Sequence, residues 1–407
     1  MEQYKKALFI TQTLQNAGHI AYFAGGWVRD FLLHHPSDDI DIATSATPQE
    51  VQALFSKTIP IGIAFGILLV VIDNDSFEVA TFRKESDYQD GRHPSSIEFS
   101  DAKQDAIRRD FTINGIFYDP VKDEILDFVE GRKDLKKKLL RSIGDPKLRF
   151  REDRLRMIRA IRLSERLKFT IEKKTKETIT QYASELFPSV AIERVWQEFV
   201  KMDQFSHLSN CLISLFEVGL LSAIFPILHG LTKQEIEQRT HLLDLFPKET
   251  PLIAKILELF SSFSLEEKIA LCQFLKLSNN DLSFVLLLDE AKNLAEKKSP
   301  LHQWAHFYAK EKSSLALNIW TLHLSPKQRK CFLSEESKRQ KSLASAIQRI
   351  QTKNPVVQSM HLKKLGILPG KKMGLLLKEA EKIAIDQHLE DANLVLEELK
   401  KSSLWSC

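Results

Sequence analysis

Two aspartates, Asp39 and Asp41, sit two residues apart in the run Asp38-Asp39-Ile40-Asp41-Ile42. Successive side chains on an extended strand alternate faces, so this spacing predicts both carboxylates on one face, with Ile40 and Ile42 entering a core. Adjacent carboxylates repel one another unless a cation neutralises them. Hard oxygen donors suit Mg2+, an ion that also bridges substrate phosphates. Glu78, on the expected strand Phe77-Glu78-Val79-Ala80, is a third candidate. Three such carboxylates can hold two ions about 4 Å apart, one activating an attacking hydroxyl and one holding a leaving pyrophosphate. Taken alone, an Asp-x-Asp pair more often marks a solvated turn. Upstream, Ala24-Gly25-Gly26-Trp27-Val28-Arg29-Asp30 places paired glycines at an expected strand-to-helix junction. Glycines let backbone approach a triphosphate, and the free N–H groups of a helix start favour anions. Arg29 can add a charge-assisted bond; the bland alternative is a tight turn with Arg29 paired to Asp30.

These residues need a scaffold, and the hydropathy pattern supplies one. Apolar runs bounded by turn residues predict strands at His19–Ala24, Asp39–Ala43, Gly66–Ile72, Phe77–Phe82, Ile113–Tyr118 and Glu124–Phe128. Helical patterns fall between them at Lys5–Asn16, Val28–Leu33 and Pro48–Phe55, the last with Thr47 as a cap. Beyond about Asp134 the period is helical to the end, with breaks at Pro188, Pro226, Pro247, Pro251, Pro300, Pro355 and Pro369-Gly370. The 407 residues therefore predict several domains. Residues 1–130 carry ten more acidic than basic side chains, whereas residues 131–176 carry twelve more basic than acidic ones. A basic band of that density marks a phosphate-rich partner or a solvated helix face.

Other classes lose support. The composition, 43% hydrophobic and 28% charged, is that of a globular chain, not a disordered one. The cysteines, Cys211, Cys272, Cys331 and Cys407, lack the spacing of a zinc cluster or a disulfide framework, which fits a reducing cytoplasm. No signal-peptide core or membrane-length apolar run is present. Neither a Walker-type loop nor a dinucleotide-binding glycine pattern occurs. His229 and His241 have no metal-ligand partners at usable spacing and read as ordinary helix or loop histidines.

Gly25-Gly26-x-Val28-Arg29-Asp30, followed by Asp39-x-Asp41 and Ala43-Thr44, resembles the active-site signature of class II tRNA nucleotidyltransferases and bacterial poly(A) polymerases, within the polymerase β superfamily. The resemblance runs from about Ala21 to Glu198. It implies an α+β fold: a nucleotidyltransferase head with a mixed or antiparallel sheet of about five strands, then helical neck, body and tail. Asp39 and Asp41 would be the metal ligands, for two Mg2+ ions. Arg108-Arg109-Asp110-Phe111-Thr112-Ile113-Asn114 resembles the family's ribose-recognition motif; an Arg and an Asp together can engage a 2′-hydroxyl, which both donates and accepts. A surface ion pair between Arg109 and Asp110 is the alternative.

Arg151-Glu152-Asp153-Arg154-Leu155-Arg156-Met157 lies in a strongly helical stretch, where residues three apart share a face. Asp153 can accept from an exocyclic amine while Arg156 donates to ring acceptors, the pattern that cytosine and adenine offer. Resemblance to the family's Glu-Asp-x-x-Arg motif implies that this pair replaces a nucleic-acid template. Glu193-Arg194-Val195-Trp196 matches the family's neck motif, in which Arg194 either contacts the incoming triphosphate or braces the neck.

Asp87–Pro94, polar and turn-rich, reads as a loop and resembles the flexible loop of members that add the terminal adenosine, with Asp90, Gly91 and Arg92 at its centre. Ile61-Gly62-Ile63-Ala64-Phe65-Gly66 looks like the CCA-adding sequence, whereas poly(A) polymerases of this class carry a basic stretch there. Leu365-Gly366-Ile367-Leu368-Pro369-Gly370-Lys371-Lys372 resembles the tail of CCA-adding members, with Lys371 and Lys372 placed to meet RNA phosphate or simply to start a helix hairpin. The expected layout is a head at 1–137, a neck at 138–200, a body at 201–290 and a tRNA-binding tail at 291–407. The expected activity is addition of C, C and A to tRNA from CTP and ATP. The alternatives are A addition alone, poly(A) synthesis, or a degenerate RNA-binding module, which would lose the carboxylates that this chain retains.

Overall fold

The computed structural model describes residues 2–35, 37–88, 94–205 and 208–405. The expected loop centre, Asp90, Gly91 and Arg92, lies outside them. The chain forms two compact units, Met1–Thr240 and His241–Cys407, the first taking in the expected head and neck.

In the first unit a helix, α1 (Glu2–Asn16), precedes β1 (Ala21–Ala24), α2 (Gly25–Leu32), β2 (Asp41–Thr44) and α3 (Pro48–Leu54). Thr47 caps α3, accepting from the Glu50 N–H while Glu50 accepts from Thr47, as its spacing predicts. Next come β3 (Thr58–Gly62), β4 (Ile67–Ile72), β5 (Asp75–Thr81), β6 (Arg83–Tyr88), β7 (Pro94–Phe99), α4 (Ala102–Ile107), β8 (Ile116–Asp119), β9 (Glu124–Asp127) and α5 (Gly131–Lys137). Seven strands form one mixed sheet in the order β3-β4-β5-β2-β1-β8-β9, two more than expected. The β2–β5 pair is parallel and every other pair antiparallel. The hydropathy pattern missed β3, Thr58-Ile59-Pro60-Ile61-Gly62, because Pro60 and Gly62 argue against a strand; at a sheet edge Pro is tolerated, and β3 is an edge. The expected loop at Asp87–Pro94 is narrower than its polarity suggests, since β6 and β7 pair as a separate hairpin up to Tyr88 and Pro94.

Phe23, Ile42, Phe82 and Phe117 fill the sheet's core, each at most 1% exposed, and Ile40 and Ile42 are buried as their alternation predicts. Register then sets the chemistry. Ala24 lies opposite Asp41 and Phe23 opposite Ile42, so Asp41 stands beside the Gly25-Gly26 turn. Ile42 pairs with Val79, which brings Glu78 level with Asp41 on the neighbouring strand. Asp39 departs from the expectation: the strand begins at Asp41, and Asp39 belongs to the segment entering it.

The helical remainder is interrupted by a small parallel ladder, β10 (Leu139–Leu140) with β11 (Thr170–Ile171), which the helical period conceals. Between them lie α6 (Pro146–Glu152) and α7 (Leu155–Leu167), and after them α8 (Lys173–Tyr182) and α9 (Ile192–Gln204). Among its described residues the second unit holds helices joined by turns and no strand, ending with the helix Ala392–Lys400. Among the described residues no helix is long and apolar enough to cross a membrane.

Candidate active site

A cleft of about 640 Å³ in the first unit gathers the residues that the spacing arguments single out: Gly25, Gly26, Arg29, Asp39, Asp41, Glu78, Arg108, Arg109, Asp110, Asn114, Asp153, Arg156 and Arg194 all line it. Ten of its lining side chains are basic and five acidic. The acidic ones are not spread evenly. Burial, then the charges of Glu78 and Asp39, push the Asp41 carboxyl from its ordinary 3.8 up to about 7. Burial and the Asp39 charge likewise raise Glu78. Carboxylates held this unfavourably are a cation's complement, and their donors are hard oxygens. Among the described residues no three His, Cys, Asp or Glu side chains close around one point.

The glycine turn is built for proximity. Gly25 has φ +70, and a Cβ there would come within 3.2 Å of an Asp41 Oδ and 3.4 Å of an Arg109 Nη. Gly25→Ala is expected to cost about 1–2 kcal/mol of stability through its backbone and, by displacing Asp41, to lower the activity expected from the sequence by more than the fall in folded protein explains. Paired measurements of melting temperature and kcat check this. Equal kcat in the folded variant would show that the close approach is incidental.

Arg29 takes the bland alternative. It is 3% exposed, its Nε and Nη2 donating to the two Asp30 oxygens at 2.8 and 2.9 Å and its Nη1 to the Asn114 Oδ1 at 2.7 Å. It therefore braces the turn against the Arg108–Asn114 segment and holds Asn114, whose Nδ2 donates to Asp110 at 2.9 Å. Asp110 does not pair with Arg109. Its second oxygen accepts from Arg159 Nε and Nη2 at 3.0 and 2.7 Å. Burial works against its charge, but Arg159 and Asn114 outweigh it and hold the Asp110 carboxyl well below the usual range. Arg109 instead donates to Asp105 at 2.9 Å, lies over the Phe117 ring and faces Asp41. Asp105, 1% exposed, also accepts from Arg108 at 2.7 Å.

The Asp153–Arg156 expectation needs correction in its geometry. The two do not share a helix face: α6 ends at Glu152, and Asp153 is extended, at φ −149 and ψ 105, before α7 begins. An aspartate side chain competes for backbone donors, and here Asp153 accepts from the Leu155 N–H at 3.1 Å, which breaks the helix. Its carboxylate is paired with Arg194, at 3.2 and 2.8 Å. Arg156, in the first turn of α7, donates to Glu152 at 2.6 Å and to the Arg149 and Arg108 carbonyls at 3.1 and 3.2 Å.

Several residues escaped the motif search. Arg159, Arg162 and Arg166 continue Arg156 along one side of α7 and line the cleft. Arg162 donates to the buried Glu198 of α9 at 2.6 Å, and Arg166 reaches Asp30 at 2.9 Å. Their spacing of three, three and four residues was available as a signal, because positions so spaced share a helix face. Lys371 and Lys372 belong to the second unit, exposed at the start of the helix Lys371–Asp386, where Gly370 offers no side-chain cap. His229 and His241 are exposed.

Comparison with known proteins bears on this cleft. Residues 21–141 match the family described as "Poly A polymerase head domain", and residues 168–231 match "Probable RNA and SrmB- binding site of polymerase A". A CCA-adding enzyme of Anoxybacillus flavithermus (strain DSM 21510 / WK1) is 44% identical over 222 residues, 54% of this chain and 55% of its own. One of Lactobacillus helveticus (strain DPC 4571) is 46% identical over 198 residues, 48% and 49% of the two chains. The chain thus matches about half the length of these relatives. Among solved structures, the Bacillus stearothermophilus CCA-adding enzyme in complex with CTP superposes with a TM-score of 0.78 at 26% identity, covering 98% of each chain. The Thermotoga maritima CCA-adding enzyme complexed with tRNA shares the fold, with a TM-score of 0.64 at 20% identity over 97% of this chain and 94% of its own.

Proposed function

We propose, starting from a head of the poly A polymerase type followed by that family's RNA-binding domain, that this chain adds C, C and A to the 3′ end of tRNA from CTP and ATP. The observation that carries the reading is the strand register that stands Asp41 beside the Gly25-Gly26 turn and level with Glu78, in a cleft that nine arginines also line.

In this reading Asp39 and Asp41, with Glu78 behind them, would hold two Mg2+ ions, whose coordination the substrate phosphates complete. Bound there, the ions would supply activation of the 3′-hydroxyl and neutralisation of the departing pyrophosphate. The hydroxyl oxygen attacks the α-phosphorus, its proton passes to solvent, and the bond to the β-phosphate oxygen breaks. The chain's own part is positioning. The Gly25-Gly26 turn leaves room for the triphosphate, and Arg109 sets a positive charge beside the carboxylates. Asp110, kept ionised, already accepts from Arg159, Asn114 and the Phe111 N–H, so it takes a ribose hydroxyl by exchanging one of these bonds, with Arg108 alongside. Asp153, Arg156 and Arg194 face the base.

Offering the purified protein tRNA that ends before CCA, after the first C and after the second C, with CTP and ATP singly and together, tests the reading. Ordered incorporation of C, C and A is expected. Addition of A alone to CC-ended tRNA would give the A-adding alternative, and unbounded A addition would give the poly(A) alternative. Tight tRNA binding without any incorporation would leave only an RNA-binding module.

A further inference from the structure

In the second unit, the helix Pro326–Ser342 spans 17 residues without burying one. It is held from one side. Phe332 packs against the Trp320 ring and the unit's core, and the Arg339 guanidinium lies 4.0 Å from the Trp304 ring centroid and bonds the Tyr308 hydroxyl. At 100° per residue, Lys327, Lys330, Lys338 and Lys341 fall within an arc of roughly 80° on the opposite side, spaced over about 21 Å of helix. All four are exposed, and none forms an ion pair among the described residues. The residues between them on that face are Cys331, Ser334 and Ser337; the helix's acids, Glu335 and Glu336, lie outside it.

This arrangement is unfavourable for the isolated helix. Lys327 with Lys330, and Lys338 with Lys341, are like charges one turn apart; the positions four residues away hold Cys331, Ser334, Ser337 and Ser342, and Glu335, three residues before Lys338, is the one acid three or four residues from any of these lysines on the helix. Some lysines of the same unit pair with an acid three residues before, as Lys382 with Glu379 and Lys401 with Glu398, and others do not; what sets this helix apart is four lysines on one face. A polar helix whose outer face forgoes such pairs calls for an external counter-charge. A membrane surface would also need apolar side chains on that face, and it has none. We infer that the lysine face of this helix is a docking surface for the phosphate backbone of the RNA substrate, a step that rests on the function proposed above. Lysines act here as point charges that release counter-ions from the backbone and read no sequence.

The test uses the full-length chain, wild type against the fourfold variant K327Q/K330Q/K338Q/K341Q and against the corresponding fourfold Lys→Arg variant. Binding of CCA-less tRNA is measured across a KCl series, together with kcat, the KM for tRNA, the KM for CTP and a melting curve. For the Gln variant, affinity is expected to fall roughly tenfold or more at low salt, and the slope of log affinity against log salt to shrink by about 3. The KM for tRNA should rise while kcat and the KM for CTP hold, and the Arg variant should behave as wild type. Unchanged affinity and slope would overturn the inference. If the fourfold Gln variant melts early, K327Q/K330Q and K338Q/K341Q carry the test separately: about half the slope loss from each supports the surface, and none from either overturns it. Slope loss in a chain that incorporates no nucleotide would sink the proposed function and leave this surface standing, whereas normal C, C and A addition with stripe-independent binding would do the reverse.

Discussion

Asp41→Asn is expected to lower incorporation of both CTP and ATP on the order of 10³-fold or more while leaving tRNA affinity within a few-fold, because the lost step is metal-assisted chemistry and not docking. The same substitution should make the metal-free protein more stable at neutral pH. In the native state the Asp41 carboxyl keeps its proton up to about pH 7, whereas its ordinary value is 3.8. Between those values the native state binds more protons than the unfolded one, so stability falls as pH rises through that window, by at most about 1.4 kcal/mol per unit. Melting in EDTA from pH 4 to 8 should show that decline in wild type and a flatter profile in the variant, and Mg2+ should recover stability in wild type alone. A variant that incorporates nucleotide within tenfold of wild type, or an EDTA profile identical to wild type, would remove Asp41 from the metal site.

Asp153→Ala should reduce the use of CTP and ATP and narrow their advantage over UTP and GTP by roughly 5- to 150-fold, the equivalent of about 1–3 kcal/mol for a base left incompletely paired. The carboxylate has about four acceptor positions, of which Arg194 and the Leu155 N–H take three. One acceptor position therefore remains for an exocyclic amine while the salt bridge persists. Arg156 is committed to Glu152 and to two carbonyls, so its substitution separates two roles. Loss of selectivity in a folded Arg156→Ala protein marks a base reader, whereas early melting with selectivity intact marks a brace. Relative incorporation of all four nucleotides, measured beside melting curves, makes the distinction. Asp153→Ala with its full preference for C and A would show that the base is read elsewhere.

What the chain discloses about itself depends on the reach of each interaction. The Asp39–Asp41 spacing, the paired glycines and the alternation of Ile40 and Ile42 are features within a few residues of one another, and the residues they single out line one cleft. Pairings across long stretches left no such trace. Nothing in Arg29 announces Asn114, 85 residues on, and nothing in Asp153 announces Arg194, 41 residues on. The break at Asp153 was hidden for a different reason: Arg, Glu, Leu and Met around it are all good helix formers, and one side-chain hydrogen bond outweighs their preference. In β3 the composition was legible but its position in the sheet was not, and only an edge position makes Pro60 acceptable.

The arginines that α7 sends back to the sheet also order events in time. Asp30 accepts from Arg166, 136 residues later, and Asp110 from Arg159, 49 residues later. A nascent chain that has emerged only as far as α5 can pair its strands and already sets Arg29 against Asp30, yet Asp110, destined for burial, lacks its cation, and an unpaired buried charge is strongly disfavoured. At about 5–20 residues per second, roughly 1.5–6 s separate emergence of Lys137 from that of Arg166. During that interval the first unit exists as a sheet that cannot yet close over Asp110, so the cleft and the fold are completed by the same few side chains at the same moment of synthesis.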